Sequence, residues 1–246
     1  MNMHEFQNVV YCKLLEHGWR VQRAAPAQQG WEGHRAYWEP AYIRRLGFRP
    51  QTIIDVGVAK GTPQLYAAFP DAQLILVEPL SEYFEGIARL LERRRGVHIP
   101  AAAGSSEGEL VLRVERDGSE GSSHYSRHPL DSTGHTPTLR RVQVTTIDRI
   151  IANHAFPEPF GLKIDTEGAE LEVIRGATAT LEQTLFVIAE VSVLHNRFEG
   201  SYSFAQFIAA MNQAGFEVCD LLGIGRVVSS YVVDVDLVFQ RRGNGL

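Results

Sequence analysis

Asp165 and Glu167 stand two residues apart at the end of a short apolar run, Leu162-Lys163-Ile164, and Gly168 follows at once. A helix-forming stretch begins near Glu170. Carboxylates at the carboxyl end of a strand occupy the place where open α/β sheets bind ligands and do chemistry. A second strand end of this kind lies upstream, in Ile53-Ile54-Asp55-Val56-Gly57-Val58-Ala59-Lys60-Gly61-Thr62. Gly57 can supply a tight turn there, and Gly61 a close approach of backbone to helix or ligand. Two such ends in one sheet suggest a cofactor at one and a reacting group at the other.

The composition of the upstream loop narrows the ligand. A dinucleotide fingerprint needs Gly-x-Gly-x-x-Gly, but Ala59 fills the middle position and the third glycine is out of step. The phosphate loop Gly-x-x-x-x-Gly-Lys-Ser/Thr is absent as well. Asp55 would repel a phosphate, whereas a cationic ligand without phosphates suits it, and S-adenosylmethionine is such a ligand. Leu74 to Pro79 form a further strand ending in Glu78, an acid able to accept both ribose hydroxyls. Pro79, directly after Glu78, is expected to border the cofactor as well. Ala101-Ala102-Ala103-Gly104 are small enough to lie against a flat adenine, with Ala102 as the contact.

The elements that position these groups alternate. Thr52–Val56, Gln73–Val77, Val97–Ala101, Leu162–Asp165 and Leu185–Val191 read as strands. Helices are expected over Glu39–Leu46, Pro63–Phe69, Ser81–Arg94, Glu170–Leu181 and Ser203–Ala214. This rhythm predicts an α/β protein with a parallel sheet covered on both faces. The chain ends in two strands, Phe216–Leu221 and Val232–Gln240, with no helix between them, which predicts a terminal hairpin. Residues 117–138 form a polar insert rich in Gly, Ser, His and Pro, of the length that is usually functional. Residues 1–50 read as a helical extension and cofactor lid, and 51–246 as the catalytic domain. Asp148 is expected to cap the helix that follows it.

At 246 residues, 44% hydrophobic and 22% charged, the chain has the composition of a soluble globule. A net charge of −5 disfavours nucleic acid as a partner. Two widely separated cysteines provide neither a disulfide framework nor metal-ligand spacing, so no dedicated metal site is expected. With no signal peptide and no membrane-spanning run, a cytoplasmic location is expected.

With these pieces in order, the chain resembles the FkbM family of S-adenosylmethionine-dependent methyltransferases. The resemblance runs from about Gln51 to Arg241. It is carried by Ile53–Gly61, Leu76–Pro79, Ser122-Ser123, Val144–Asp148 and above all Leu162–Ala177. It implies a class I methyltransferase fold, a Rossmann-like three-layer sandwich whose seven-stranded sheet has an antiparallel last strand. It also implies O-methylation of a sugar or another small secondary metabolite. Asp165 is the first candidate to orient the acceptor hydroxyl or take its proton, and it also borders the cofactor. Glu167 is the second acid, with Ser123 and His124 of the insert and Glu190 and His195 after the fifth strand as candidates for the acceptor pocket. His124 and His195 are also candidate bases. Two other classes remain as alternatives: a non-catalytic adenosyl- or nucleotide-binding module, and a nicotinamide-dependent oxidoreductase.

Overall fold

The computed structural model describes residues 32–34, 37–114, 122–126, 136–194, 197–226 and 232–243, with only the backbone at 32–34. His195, residues 1–31 of the expected helical extension and most of the polar insert lie outside the described residues.

Four parallel strands form the centre. They are β2 (Thr52–Val56), β3 (Gln73–Val77), β8 (Phe160–Ile164) and β9 (Thr184–Ser192). Every residue of β2 and β8 is buried, the pattern of strands covered on both faces. β4 (Gly96–Ile99) extends one edge in parallel. At the other edge β11 (Val232–Arg241) pairs antiparallel with β9, and β10 (Phe216–Arg226) pairs antiparallel with β11. The order β4-β3-β2-β8-β9-β11-β10, with only the last strand of the chain reversed, is the seven-stranded arrangement that the resemblance implies. An eighth strand, β1 (Glu32–His34), joins the β10 edge antiparallel, where the sequence reads as the end of a linker. A separate small sheet holds β5 (Ala102–Ala103), β7 (Thr138–Thr145) and β6 (Gly108–Val114) in the order β5-β7-β6.

Side chains alternate across the central strands, so each face has its own core. Ile54, Val56, Leu162 and Ile164 point to one face and pack with Leu171, Ile174, Phe207 and Met211. Ile53, Leu74, Leu76 and Ile188 point to the other and pack with Leu65, Tyr66 and Ile87. Helices α1 (Pro40–Arg45), α2 (Pro63–Ala68) and α3 (Phe84–Leu91) supply the second face. α4 (Ile147–Ala152), α5 (Glu170–Arg175), α6 (Thr178–Glu182) and α7 (Phe204–Gln213) supply the first. Ser203 and Gln206 close α7 with a reciprocal capping box. Trp38 Nε1 donates to Asp236 (2.7 Å) and Tyr42 to Asp220 (2.7 Å), which ties the segment before β2 to β11 and β10.

Two expectations are corrected. The single helix read over Glu170–Leu181 is two, α5 and α6, broken at Gly176 and Ala177. A Cβ on Gly176 would lie 2.0 Å from the carbonyl oxygen of Gly104, so only a glycine allows the small sheet to sit this close. Asp148 does not cap its own helix, because Thr146 does so by accepting from Arg149 N. Asp148 instead accepts from Ala179 N and Thr180 N and from the hydroxyls of Thr178 and Thr180, which caps α6. Burial opposes ionisation of Asp148, yet these donors prevail and hold its carboxyl below the ordinary range.

Candidate active site

Asp55, Lys163 and Asp165 meet on one sheet face for a reason visible in the register. Asp55 pairs with Lys163 across β2 and β8, and Asp165 is two residues further along the same chain. Lys163 Nζ lies 3.3 Å from Asp55 Oδ1, 3.3 Å from Asp165 Oδ2 and 3.3 Å from the carbonyl oxygen of Gly57. Burial alone would lower the ammonium's pKa, but Asp55 first and then Asp165 outweigh it and hold it above its ordinary value. The other oxygen of Asp55 accepts from Thr62 Oγ1 (3.0 Å) and from the Tyr66 hydroxyl. Burial, followed by the Asp55 charge, pushes the Tyr66 phenol well above its usual value.

The loop after β2 turns at Gly57, whose φ is +76°. A Cβ there would lie 1.7 Å from the carbonyl oxygen of Asp165, so the two strand ends are in backbone contact. Gly61 and Ala59 also take positive φ (+90° and +44°), which for alanine is a strained geometry of the kind concentrated at ligand sites. Glu78 sits beside this loop at the end of β3 and is 4% exposed. Its oxygens accept from Ala59 N (2.8 Å) and Leu80 N (2.9 Å). Burial raises its pKa despite these donors. Each oxygen keeps a further lone pair for a ligand hydroxyl. Pro79 and Ala102 are half-buried, and Ala102 packs against the core of the second face.

The second acid group gathers around the loop that follows β8. Asp165, Glu167 and Glu190 each bring a carboxylate oxygen to within 4.8 Å of the others. Such a triad has the donor chemistry of a divalent cation site. Here each acid already has a protein cation near it. Arg197 is 3.3 Å from both Glu167 and Glu190 and 2.6 Å from Asp234, and Lys163 serves Asp165. Glu190 is pushed well above the ordinary carboxylate range, by burial first and then by Asp165, Asp234 and Glu167, against the pull of Arg197.

Glu170 fixes the loop itself. Its carboxylate accepts from Thr166 N (2.9 Å), Thr166 Oγ1 (3.1 Å), Gly168 N (3.1 Å) and the Tyr202 hydroxyl (2.6 Å). Glu167 and Gly168 between them take positive φ (+54° and +104°). Ser123 is buried, and its hydroxyl donates to the carbonyl oxygen of Glu167 while accepting from Tyr125 N. The insert therefore touches the acid loop at this serine. His124 is exposed, with Nδ1 3.0 Å from the carbonyl oxygen of Val111 in the small sheet.

Asp55, Gly57, Glu78, Asp165, Glu167, Glu190 and Ser123 are thus brought to one end of the sheet or its bordering loops. Sequence reasoning gave no role to Lys163, Arg197, Asp234 or Tyr202. Lys163 carried a signal, because a charge inside a wholly apolar strand requires a partner. Arg197, in an irregular loop, carried none.

Residues 55–218, more than half of the chain, match the family described as the methyltransferase FkbM domain. Over 139 residues the chain is 28% identical to the hexuronic acid methyltransferase AglP of Haloferax volcanii. That match covers 56% of this chain and 54% of the relative, so the chain spans about half the length of the curated relative it matches. Solved structures similar to it include methyltransferase FkbM from Methylobacillus flagellatus KT, with a TM-score of 0.48, 18% identity, and coverage of 82% of this chain and 50% of that one. Another is the magnesium protoporphyrin IX methyltransferase ChlM of Synechocystis PCC 6803, with a TM-score of 0.45, 10% identity, and coverage of 82% and 76%. The chain belongs to the FkbM methyltransferase domain family, whose cofactor is S-adenosylmethionine.

Proposed function

We propose that this protein transfers a methyl group from S-adenosylmethionine to a hydroxyl of a sugar or a glycosylated small molecule. The observation that carries the reading is Asp165, a 26% exposed carboxylate in backbone contact with the glycine loop and flanked by Glu167 and Glu190. The donor set suits the cofactor. Asp165 offers an exposed carboxylate to the cofactor's cationic groups, whereas Asp55 is fully buried and fixes the loop from behind, and Glu78 has lone pairs available for ribose hydroxyls. When bound, the cofactor supplies an electrophilic methyl group.

The chain's own residues do the rest. Asp165, fixed by Lys163, accepts a hydrogen bond from the acceptor hydroxyl and so aims its oxygen. Glu190 takes the proton as the oxygen gains its methyl. A carboxylate with raised proton affinity is a better base near neutral pH than an ordinary one. Gly57 and Glu78 hold the cofactor side, and Ser123 keeps the acid loop against the insert. Alignment of this kind can supply several kcal/mol of barrier reduction.

The charge balance favours a neutral polyol over an acidic acceptor. Among the described residues, Asp165, Glu167, Glu190 and Asp234 form ion pairs with Lys163 and Arg197. A substrate carboxylate would add to the surplus, whereas hydroxyls donate to it. The sugar-directed name of the Haloferax relative supports a saccharide acceptor.

A methyl-transfer screen over neutral glycosides, uronates and amino sugars, with and without magnesium, tests the proposal. Turnover on neutral glycosides that falls roughly 10²-fold or more in Asp165→Asn supports it. Tight binding of NAD with none of S-adenosylhomocysteine would sink it. Cofactor binding without turnover on any acceptor would favour a non-catalytic module.

A further inference from the structure

We propose that Lys163 is a positioning residue that couples the cofactor loop to the acceptor carboxylate through one buried ammonium. The inference rests on Asp165 facing the acceptor. Lys163 Nζ donates hydrogen bonds to Asp165 Oδ2 and Gly57 O, each at 3.3 Å, and forms an ion pair at 3.3 Å with Asp55 Oδ1, a buried oxygen that accepts no hydrogen bond. The three belong to different working parts. Asp55 is fully buried and is fixed on its other side by Thr62 and Tyr66 of the loop and helix that follow β2. Gly57 is the turn of the cofactor loop. Asp165 is the only one of the two carboxylates that reaches the solvent side, at 26% exposed. Asp55 thus anchors the ammonium from behind, and the ammonium holds Asp165 in front. The Gly57 backbone also packs directly against the carbonyl of Asp165.

A plainer role exists for the same lysine, as a counter-ion that only allows Asp55 to be buried. The two roles separate in a set of four proteins: wild type, Lys163→Met, Asp55→Asn, and the double variant Asp55→Asn/Lys163→Met. Removing one partner of a buried pair is strongly destabilising, whereas replacing both by neutral groups is often close to neutral. Lys163→Met should therefore lower Tm by about 10 °C, and the double variant should recover most of that loss. Turnover should behave differently. With saturating S-adenosylmethionine, kcat should fall about 10²-fold in Lys163→Met, the cost of a misplaced reacting group, and should stay low in the double variant. Affinity for S-adenosylhomocysteine, read by calorimetry, should weaken about tenfold in Lys163→Met through loss of the Gly57 contact, the worth of one charge-assisted hydrogen bond.

Recovery of kcat together with Tm in the double variant would overturn the proposal, since Lys163 would then serve Asp55 alone. A double variant that does not recover Tm would overturn it equally, because Asp55 would not be the anchor. If the wild type methylates no acceptor, the functional reading fails by itself. The calorimetric arm still judges Lys163, and unchanged S-adenosylhomocysteine affinity in Lys163→Met would refute its tie to the cofactor loop.

Discussion

Replacing Glu170 distinguishes two physical roles for an acid in the first turn of a helix. If it only complements the dipole of α5, its removal costs about 0.3–1 kcal/mol. The structure gives it a larger task. Four donors converge on its two oxygens: Thr166 N, Thr166 Oγ1, Gly168 N and the Tyr202 hydroxyl. Glu170 is 1% exposed, so water cannot take its place. In Glu170→Ala the two backbone N–H groups lose their acceptor at about 1–3 kcal/mol each. With the void left by the side chain, the total reaches roughly 3–5 kcal/mol, or about 10–15 °C in Tm for a chain of this length. Glu170→Gln should be far milder. Its carbonyl oxygen can keep the Thr166 and Gly168 donors while its amide donates to the Tyr202 oxygen. Only the charge assistance is lost, about 1 kcal/mol. Thermal unfolding of the three proteins at pH 7 reads the difference, and hydrogen exchange at Gly168 reports whether the loop has been released. An alanine variant within about 1 kcal/mol of wild type, with Gly168 still protected, would refute the clamp and leave only the dipole.

Three further perturbations follow from the same contacts. Gly57→Ala places a Cβ 1.7 Å from the carbonyl oxygen of Asp165 at φ +76°; the left-handed backbone alone costs about 1–2 kcal/mol, so calorimetry should find S-adenosylhomocysteine binding weakened by more than about tenfold. Asp148→Ala removes the cap of α6 and should cost about 1–2 kcal/mol at pH 7; because the carboxyl is held below its ordinary value, this contribution should fade as pH falls through the folded pKa, and the Tm values of the two proteins should converge in acid. Glu190→Gln tests the raised carboxyl. A group that binds its proton more tightly when folded contributes stability fully below its unfolded value near 4.5 and loses it as pH rises through the folded pKa. Relative to wild type, Glu190→Gln should therefore gain Tm as pH rises from below the unfolded value through the raised folded pKa, while its turnover falls roughly 10²–10⁴-fold and loses its acid limb.

The parallel strands were legible because burial on both faces leaves an apolar run, as in Leu74–Val77. Glu78 and Asp165 were legible because each directly follows such a strand, and Asp55 because it is the one charge within Thr52–Val56. What stayed hidden depends on partners distant in sequence. Leu171, Ile174 and Leu181 keep helical spacing straight through Gly176, yet the helix breaks there, where the carbonyl of Gly104 packs too close for any Cβ. Asp148 looks like the cap of the nearest helix, yet its partners are 30 to 32 residues away. Arg197 lies in a loop with no period to read, although it carries the counter-charge for three acids.

That counter-charge explains how so acidic a sheet end can exist. Bringing carboxylates together underground is costly unless each is paired or protonated. Here the pairing is uneven. Lys163 divides its charge between Asp55 and Asp165, and Arg197 divides its charge among Glu167, Glu190 and Asp234. Among the described residues these five carboxylates form ion pairs with two cations, and burial, followed by the charges of Asp165, Asp234 and Glu167, raises the proton affinity of Glu190. A site in that condition has capacity to spare for hydrogen-bond donors and for a proton, but not for another anion. The imbalance that makes these acids costly to bury is therefore the same property on which the proposed capture of a hydroxyl and removal of its hydrogen depends.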